Sequence, residues 1–159
     1  MRNIICLCLA FLCCFGCTEE TVIYEITPLA VSSDKGGKTK EKTTEQFLNV
    51  VYANLYQTAL SPSELVRLTN VVTSIGDKQV AYETIIAKMM TDPAVSLPST
   101  QEMRADLPAF IVETYKRFYV RNPSEAEKEW WENYLETHIN LTPEHVYFTF
   151  ATSDEYNFY

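Results

Sequence analysis

The sequence predicts an all-α protein, a bundle of about six helices built from two tandem three-helix repeats, placed after a signal peptide and a flexible tether. Three observations carry this expectation. Apolar residues recur at helical spacing from Thr43 onward. Two similar tetrapeptides, Ser61-Pro62-Ser63-Glu64 and Asn122-Pro123-Ser124-Glu125, carry helix-start chemistry. Matching aromatic positions also keep a constant offset, with Phe110 and Tyr115 lying 63 residues after Phe47 and Tyr52. Pro62 and Pro123 are 61 apart, and small shifts of this kind fall in loops, where insertions cost little. One unit of about 60 residues buries too little surface to stand alone, so the two are expected to pack as one domain.

The first element is residues 1–16. Arg2 precedes an apolar run from Ile4 to Gly16, about 20 Å long as a helix and too short for a hydrocarbon core of about 30 Å. A charged start, a short apolar stretch and a small residue before the cut are what an export signal needs. Cys14-Phe15-Gly16-Cys17 resembles the bacterial lipobox, with Cys14 in place of the usual leucine and the bulky Phe15 following it. The resemblance implies cleavage before Cys17, a diacylglycerol on its sulfur and attachment to a membrane. All five cysteines lie within the first seventeen residues, so an acylated Cys17 leaves no thiol for disulfides or metal, and packing alone must hold the fold. Two or more acyl chains give a stable anchor where one would not.

Residues 17–43 read as the lipidated tether. Thr18-Glu19-Glu20 resembles the surface-export signal of lipoproteins in the Bacteroidota, or is simply polar linker. Val22, Tyr24 and Ile26 alternate with Ile23, Glu25 and Thr27, a weak strand pattern closed by Pro28. Lys35, Lys38, Lys40 and Lys42 form a basic cluster, read as a solvated linker or as a patch for lipid headgroups. About 25 flexible residues reach roughly 25–30 Å, enough to hold the body clear of a bilayer.

Residues 44–92 form the first repeat. Phe47, Val50, Val51 and Leu55 follow a cap at Thr43 or Thr44. Ser61 can accept from open backbone amides, Pro62 suits the first helical position and Glu64 can close a capping box. Leu65, Leu68, Val72 and Ile75 supply an apolar face up to Gly76, a helix stop, and Asp77 caps a third helix with Val80, Ile85, Met89 and Met90. After a connector from Pro93 to Met103, residues 104–159 form the second repeat: Phe110, Ile111, Tyr115, Phe118 and Tyr119; then Trp130, Trp131, Tyr134 and Leu135 behind the Asn122-Pro123 start; then Val146, Tyr147 and Phe150 behind Thr142-Pro143.

Tyr115, Phe118, Tyr119, Arg121, Pro123 and Trp131, ending in Ser153-Asp154-Glu155-Tyr156, are similar to a bacterial domain-of-unknown-function repeat with the pattern Y, R-x-P-D, W and S-x-E-Y. The framework also resembles the helical linker domain of phycobilisomes. The match covers about 45 residues of the second repeat; the first repeat lacks the arginine, the tryptophan and the S-x-E element, and Ser124 replaces the aspartate. The resemblance implies a non-enzymatic helical module in secreted or scaffold proteins and supplies little chemistry.

Removing residues 1–16 would leave 12 basic and 21 acidic side chains, a net charge of −9 that repels nucleic acid and anionic lipid. His138 and His145, the only histidines, are separated by Pro143 and lack a third metal ligand nearby. Glu125, Glu129, Glu132 and Glu136 form an acidic stripe at helical spacing; a glycosidase needs carboxylates across a cleft, so the stripe reads as a solvated face, with Lys128 placed to pair with Glu132. No phosphate loop, nucleophile elbow, haem motif or calcium loop occurs. The expectation is therefore no catalytic residue, no metal and no cofactor.

Thirteen of the twenty aromatic residues lie between Phe110 and Tyr159, which directs attention to the second repeat as a contact surface. Adjacent Trp130 and Trp131 point about 100° apart on a helix, so both cannot enter one narrow stripe. Trp131, at the tryptophan position of the resemblance, is assigned to the core. Trp130, Tyr134, Tyr156 and Tyr159 are the candidate surface-binding residues, with Tyr156, Phe158 and Tyr159 alternatively the last piece of the core. The sequence thus points to an outer-membrane-anchored cell-envelope lipoprotein, facing outward or into the periplasm, that binds an envelope protein or, alternatively, a surface glycan.

Overall fold

The structure, a computed structural model, describes residues 38–158. The signal segment, Cys17, the strand pattern around Val22–Ile26 and Tyr159 lie outside the described residues. Those described are all-helical apart from turns and one isolated bridge, with eight helices where about six were expected.

Helix α1, Thr44–Tyr56, starts where Thr43 accepts the Gln46 amide at 3.2 Å and Gln46 Oε1 accepts the Thr43 amide at 2.9 Å. This reciprocal pair satisfies two otherwise open donors. Phe47, Leu48, Val51 and Leu55 are buried along one stripe. Helix α2, Pro62–Ile75, has the expected Ser61 cap with proline at its first position, but the box is only half closed. Glu64 turns instead to the Arg67 guanidinium one turn on. Gly76, at φ 82°, stops α2 by donating to the Val72 carbonyl, and its positive φ, not any lack of space, is what favours glycine there. Asp77 caps α3, Lys78–Met89, whose buried face is Ala81, Tyr82, Ile85, Ile86 and Met89; Val80, read as core, is half exposed.

The expected connector is not free of structure. Ser99 and Glu102 close a capping box on α4, Thr100–Ala105, which sinks Met103 completely. Asp106 then caps α5, Leu107–Tyr119, with Phe110, Ile111, Thr114, Tyr115, Phe118 and Tyr119 buried. Helix α6 spans Glu125–Thr137, α7 spans Pro143–Ala151 and α8 spans Asp154–Asn157. The start of α6 corrects the sequence reading: the cap is Ser124, in a full box with Glu127, and Pro123 lies before it rather than at the first helical position.

Helices α1, α2 and α3 pack in succession; α5 packs on α4, α6, α7 and α8; and α3 lies against α7. Helix α5 is the hub. Its Arg117 donates to the α1 carbonyls of Asn54 at 2.6 Å and Leu55 at 3.4 Å and to the Tyr147 hydroxyl at 3.1 Å. Arg104 of α4 donates to the carbonyls of Leu135, His138 and Leu141, covering the open end of α6. The core holds Phe47, Ile86, Ile111, Leu135, Phe150 and Tyr156, each contributing about 1.5–3 kcal/mol on burial. No cysteine follows Cys17, so this packing carries the fold of the described body.

The end of the expected tether belongs to that body. Glu41 and Phe158 form an antiparallel bridge and the Lys42 amide donates to the Asn157 carbonyl at 2.9 Å. The Lys42 ammonium is buried, donating to the carbonyls of Tyr156 and, at 2.8 Å, Phe158, while Lys38 pairs with Glu155 at 3.8 Å. These two lysines pin the C-terminal turn, in place of the solvated role expected for them.

Candidate functional site

Helix α6 carries the most exposed aromatic surface. Its 3.6-residue period puts positions 130, 134 and 138 nearly in line, and the Trp130 and Tyr134 rings stack at 4.9 Å and 9° between planes, followed by Tyr134 and His138 at 4.2 Å. Trp130 is 56% exposed and Tyr134 half-buried. Trp131 turns inward, as expected, with its ring 5.2 Å from Phe150 and 5.0 Å from Trp130. Exposed Glu125, Glu129 and Glu136 flank the ladder, and Lys128 meets Glu132 at 4.0 Å. The result is an aromatic strip of rings stacked one on the next, in a negative field.

Tyr156, a candidate surface residue, is instead fully buried. Its ring lies edge-on to Phe47 at 5.6 Å and Phe118 at 5.7 Å, and its hydroxyl accepts from Asn54 at 2.9 Å. A short final helix capped by Ser153 folds the chain end back onto α1 and α5, which turns this tyrosine into core. The two histidines serve helix ends. His138 Nδ1 donates to the Tyr134 carbonyl at 2.8 Å, and His145 Nδ1 accepts the Thr142 amide at 3.3 Å. No group of three potential metal ligands occurs among the described residues.

Two arrangements were not singled out by the sequence reading. The first is an ion-pair node: Arg121 donates to Glu127 at 2.7 and 2.9 Å and to Glu155 at 2.7 and 2.8 Å, with its guanidinium 4.9 Å above the Tyr115 ring and 5.6 Å above Tyr119. The bonds from Arg121 hold the Glu127 carboxyl down to about 2, while burial pushes the Tyr119 hydroxyl up to about 12. The Glu127 carboxylate is therefore ionised at neutral pH, and both carboxylates are taken up by bonds from Arg121. Arg121 and Glu155 did stand out in the sequence pattern, but only tertiary structure joins them.

The second is a cleft of about 500 Å³ between α1, α2 and α3, floored by Leu68 and Met89, walled by Tyr52 and Tyr56, and edged by Glu64 and Asp92. The two tyrosine rings stack at 4.3 Å. The Tyr56 hydroxyl donates to Asp92 at 3.1 Å, and burial together with that carboxylate raises it to about 12. Tyrosine pairs four residues apart are the sequence signal that could have drawn attention here.

The chain matches no family model, no curated protein and no solved structure. Among the described residues no helix is long and apolar enough to cross a membrane.

Proposed function

We propose that this chain is a cell-envelope lipoprotein, held at a membrane through lipid on Cys17, whose helical body is a non-enzymatic protein-interaction module. The exposed Trp130–Tyr134 stack carries the reading. Exposed aromatic rings on a rigid helix present large contact area at low entropy cost, and such rings anchor protein interfaces. Lys128 and Glu132 pair and Glu127 serves the helix cap, while Glu125, Glu129 and Glu136 stand in solvent around the rings and favour a partner with basic groups at its rim. The exposed Trp130 ring also suits a sugar face, which keeps surface glycan binding as the second reading.

The body itself reads as two tandem helical triplets. Thr44–Tyr56 and Leu107–Tyr119 begin and end 63 residues apart, as do the left-handed caps Gln57 and Val120 and the serine caps Ser61 and Ser124. Both helices also bury matching positions, Phe47 with Phe110, Leu48 with Ile111 and Leu55 with Phe118.

In-cell photocrosslinking from position 133, beside the strip, tests the interaction. A discrete envelope protein captured by the wild type and lost in Trp130→Ala supports it; binding on a glycan array lost in the same variant would select the second reading. Acylation is read separately by mass spectrometry of Cys17, and unmodified soluble material with an intact leader would overturn the anchor.

A further inference from the structure

We propose that the cleft between α1, α2 and α3 binds the guanidinium of an arginine presented by another polypeptide. The inference rests on the correspondence between the two triplets and is independent of the Trp130 strip. In the second triplet Arg121 sits on the faces of Tyr115 and Tyr119 and is gripped by Glu127 and Glu155. Sixty-three residues earlier stand Tyr52, Tyr56, Glu64 and Asp92, all four lining the cleft. Each partner of the guanidinium thus has a counterpart of the same chemistry.

The arginine alone has none. Position 58 is an exposed threonine. The two loops are the same length, running from a left-handed residue, Gln57 at φ 55° or Val120 at φ 57°, to a serine cap, Ser61 or Ser124. Thr58 therefore occupies the backbone position of Arg121 but is too short to reach the rings.

The surroundings respond to that vacancy. Tyr115 and Tyr119 meet edge to face at 86°, each presenting surface to the cation, whereas Tyr52 and Tyr56 lie on each other at 20°. Asp92 accepts from Tyr56 at 3.1 Å and from the Ala94 amide at 2.9 Å and forms no ion pair among the described residues. Glu64 has turned to Arg67, an exposed pair one turn along the same helix, which exchanges readily. Leu68 also replaces Trp131 at the matching position, and the smaller side chain leaves room.

The cleft's volume exceeds that of a guanidinium, and its floor of Leu68, Ile85 and Met89 is apolar. Both features fit an arginine stem with an apolar neighbour in a peptide, rather than a free cation. A planar fork that bonds two carboxylates while lying on aromatic faces is what arginine offers and lysine does not. Arg67 and Lys88 share the rim and oppose any incoming cation, so removing Arg67 should help.

The test is calorimetric titration of the purified full-length chain in detergent with acetyl-Leu-Arg-Leu-amide and its isosteric, neutral citrulline analogue. The arginine probe is expected to bind at least about tenfold more tightly, to weaken about tenfold in Asp92→Asn and to strengthen in Arg67→Ala. Thr58→Arg should supply the guanidinium from within, abolishing probe binding and raising the thermal midpoint. Trp130→Ala should leave binding unchanged, which separates this site from the α6 strip. No binding at millimolar probe, equal binding of the two probes, indifference to Asp92→Asn, or retained binding in Thr58→Arg would overturn the proposal.

Discussion

Arg121 and Glu155, 34 residues apart, meet in a two-bond ion pair at 2.7 and 2.8 Å that ties the α5–α6 loop to the last helix. The same guanidinium holds Glu127 at the start of α6, so one side chain joins three segments. Arg121→Gln should leave two carboxylates facing each other with only Lys38, 3.8 Å from Glu155, to offset them. A loss of about 1–3 kcal/mol is expected, kept modest by partial solvent exposure of the node. Urea denaturation of the variant beside the wild type measures it, and an unchanged midpoint would refute the node's role.

The Glu127 carboxyl, bonded by Arg121 and the Ser124 amide, titrates at about 2 instead of near 4.5. The unfolded chain therefore binds this proton more readily than the folded one. The stability Glu127 contributes is complete above about pH 4.5 and disappears as pH falls towards 2. Urea midpoints from pH 5 to pH 2.5 should fall more steeply for the wild type than for Glu127→Gln, and parallel slopes would contradict the assignment.

Val120 holds φ at 57° and is 87% exposed. A β-branched side chain is strained in this left-handed region, and almost none of it is packed. Val120→Gly should relieve the strain at little loss of contact, raising stability by about 1 kcal/mol and the melting temperature by a few degrees. A lower melting temperature would show that the valine is held by contacts that outweigh its backbone cost.

The neighbouring tryptophans should respond in opposite ways. Trp131→Ala empties the space beside Phe150 and is expected to cost about 3 kcal/mol, whereas Trp130→Ala should change stability by less than about 1 kcal/mol, losing mainly its stack on Tyr134. Thermal melts of both variants decide it. Equal losses would mean that the outer ring is structural.

Helix starts at Ser61, Asp77 and Thr142 could be read directly, and the first narrowed to Thr43 or Thr44, because a cap depends on residues within one turn of itself. The 100° step between neighbours made it legible that Trp130 and Trp131 diverge, and the resemblance at Trp131 marked which of them turns inward. Failure came where two local signals overlapped or a partner lay far away. Asn122-Pro123 and Ser124 both offer a start, and Ser124 prevails with Glu127 closing the box from inside while Arg121 holds that carboxylate from outside. Ser61-Pro62 lacks such an arginine and keeps its proline inside the helix.

Taken alone, the sequence determined the all-helical class, the helix-start chemistry at Ser61, Asp77 and Thr142 and the divergence of the two tryptophans, since each follows from side-chain period or capping within a few residues. Tertiary structure alone decided that Lys42 and Tyr156 are interior, that Arg121 bridges Glu127 and Glu155, and that a cleft opens beside Tyr52 and Tyr56. Those outcomes depend on the final fold bringing together residues as much as 116 positions apart. Burial in particular is a property of what covers a side chain, which no local pattern encodes.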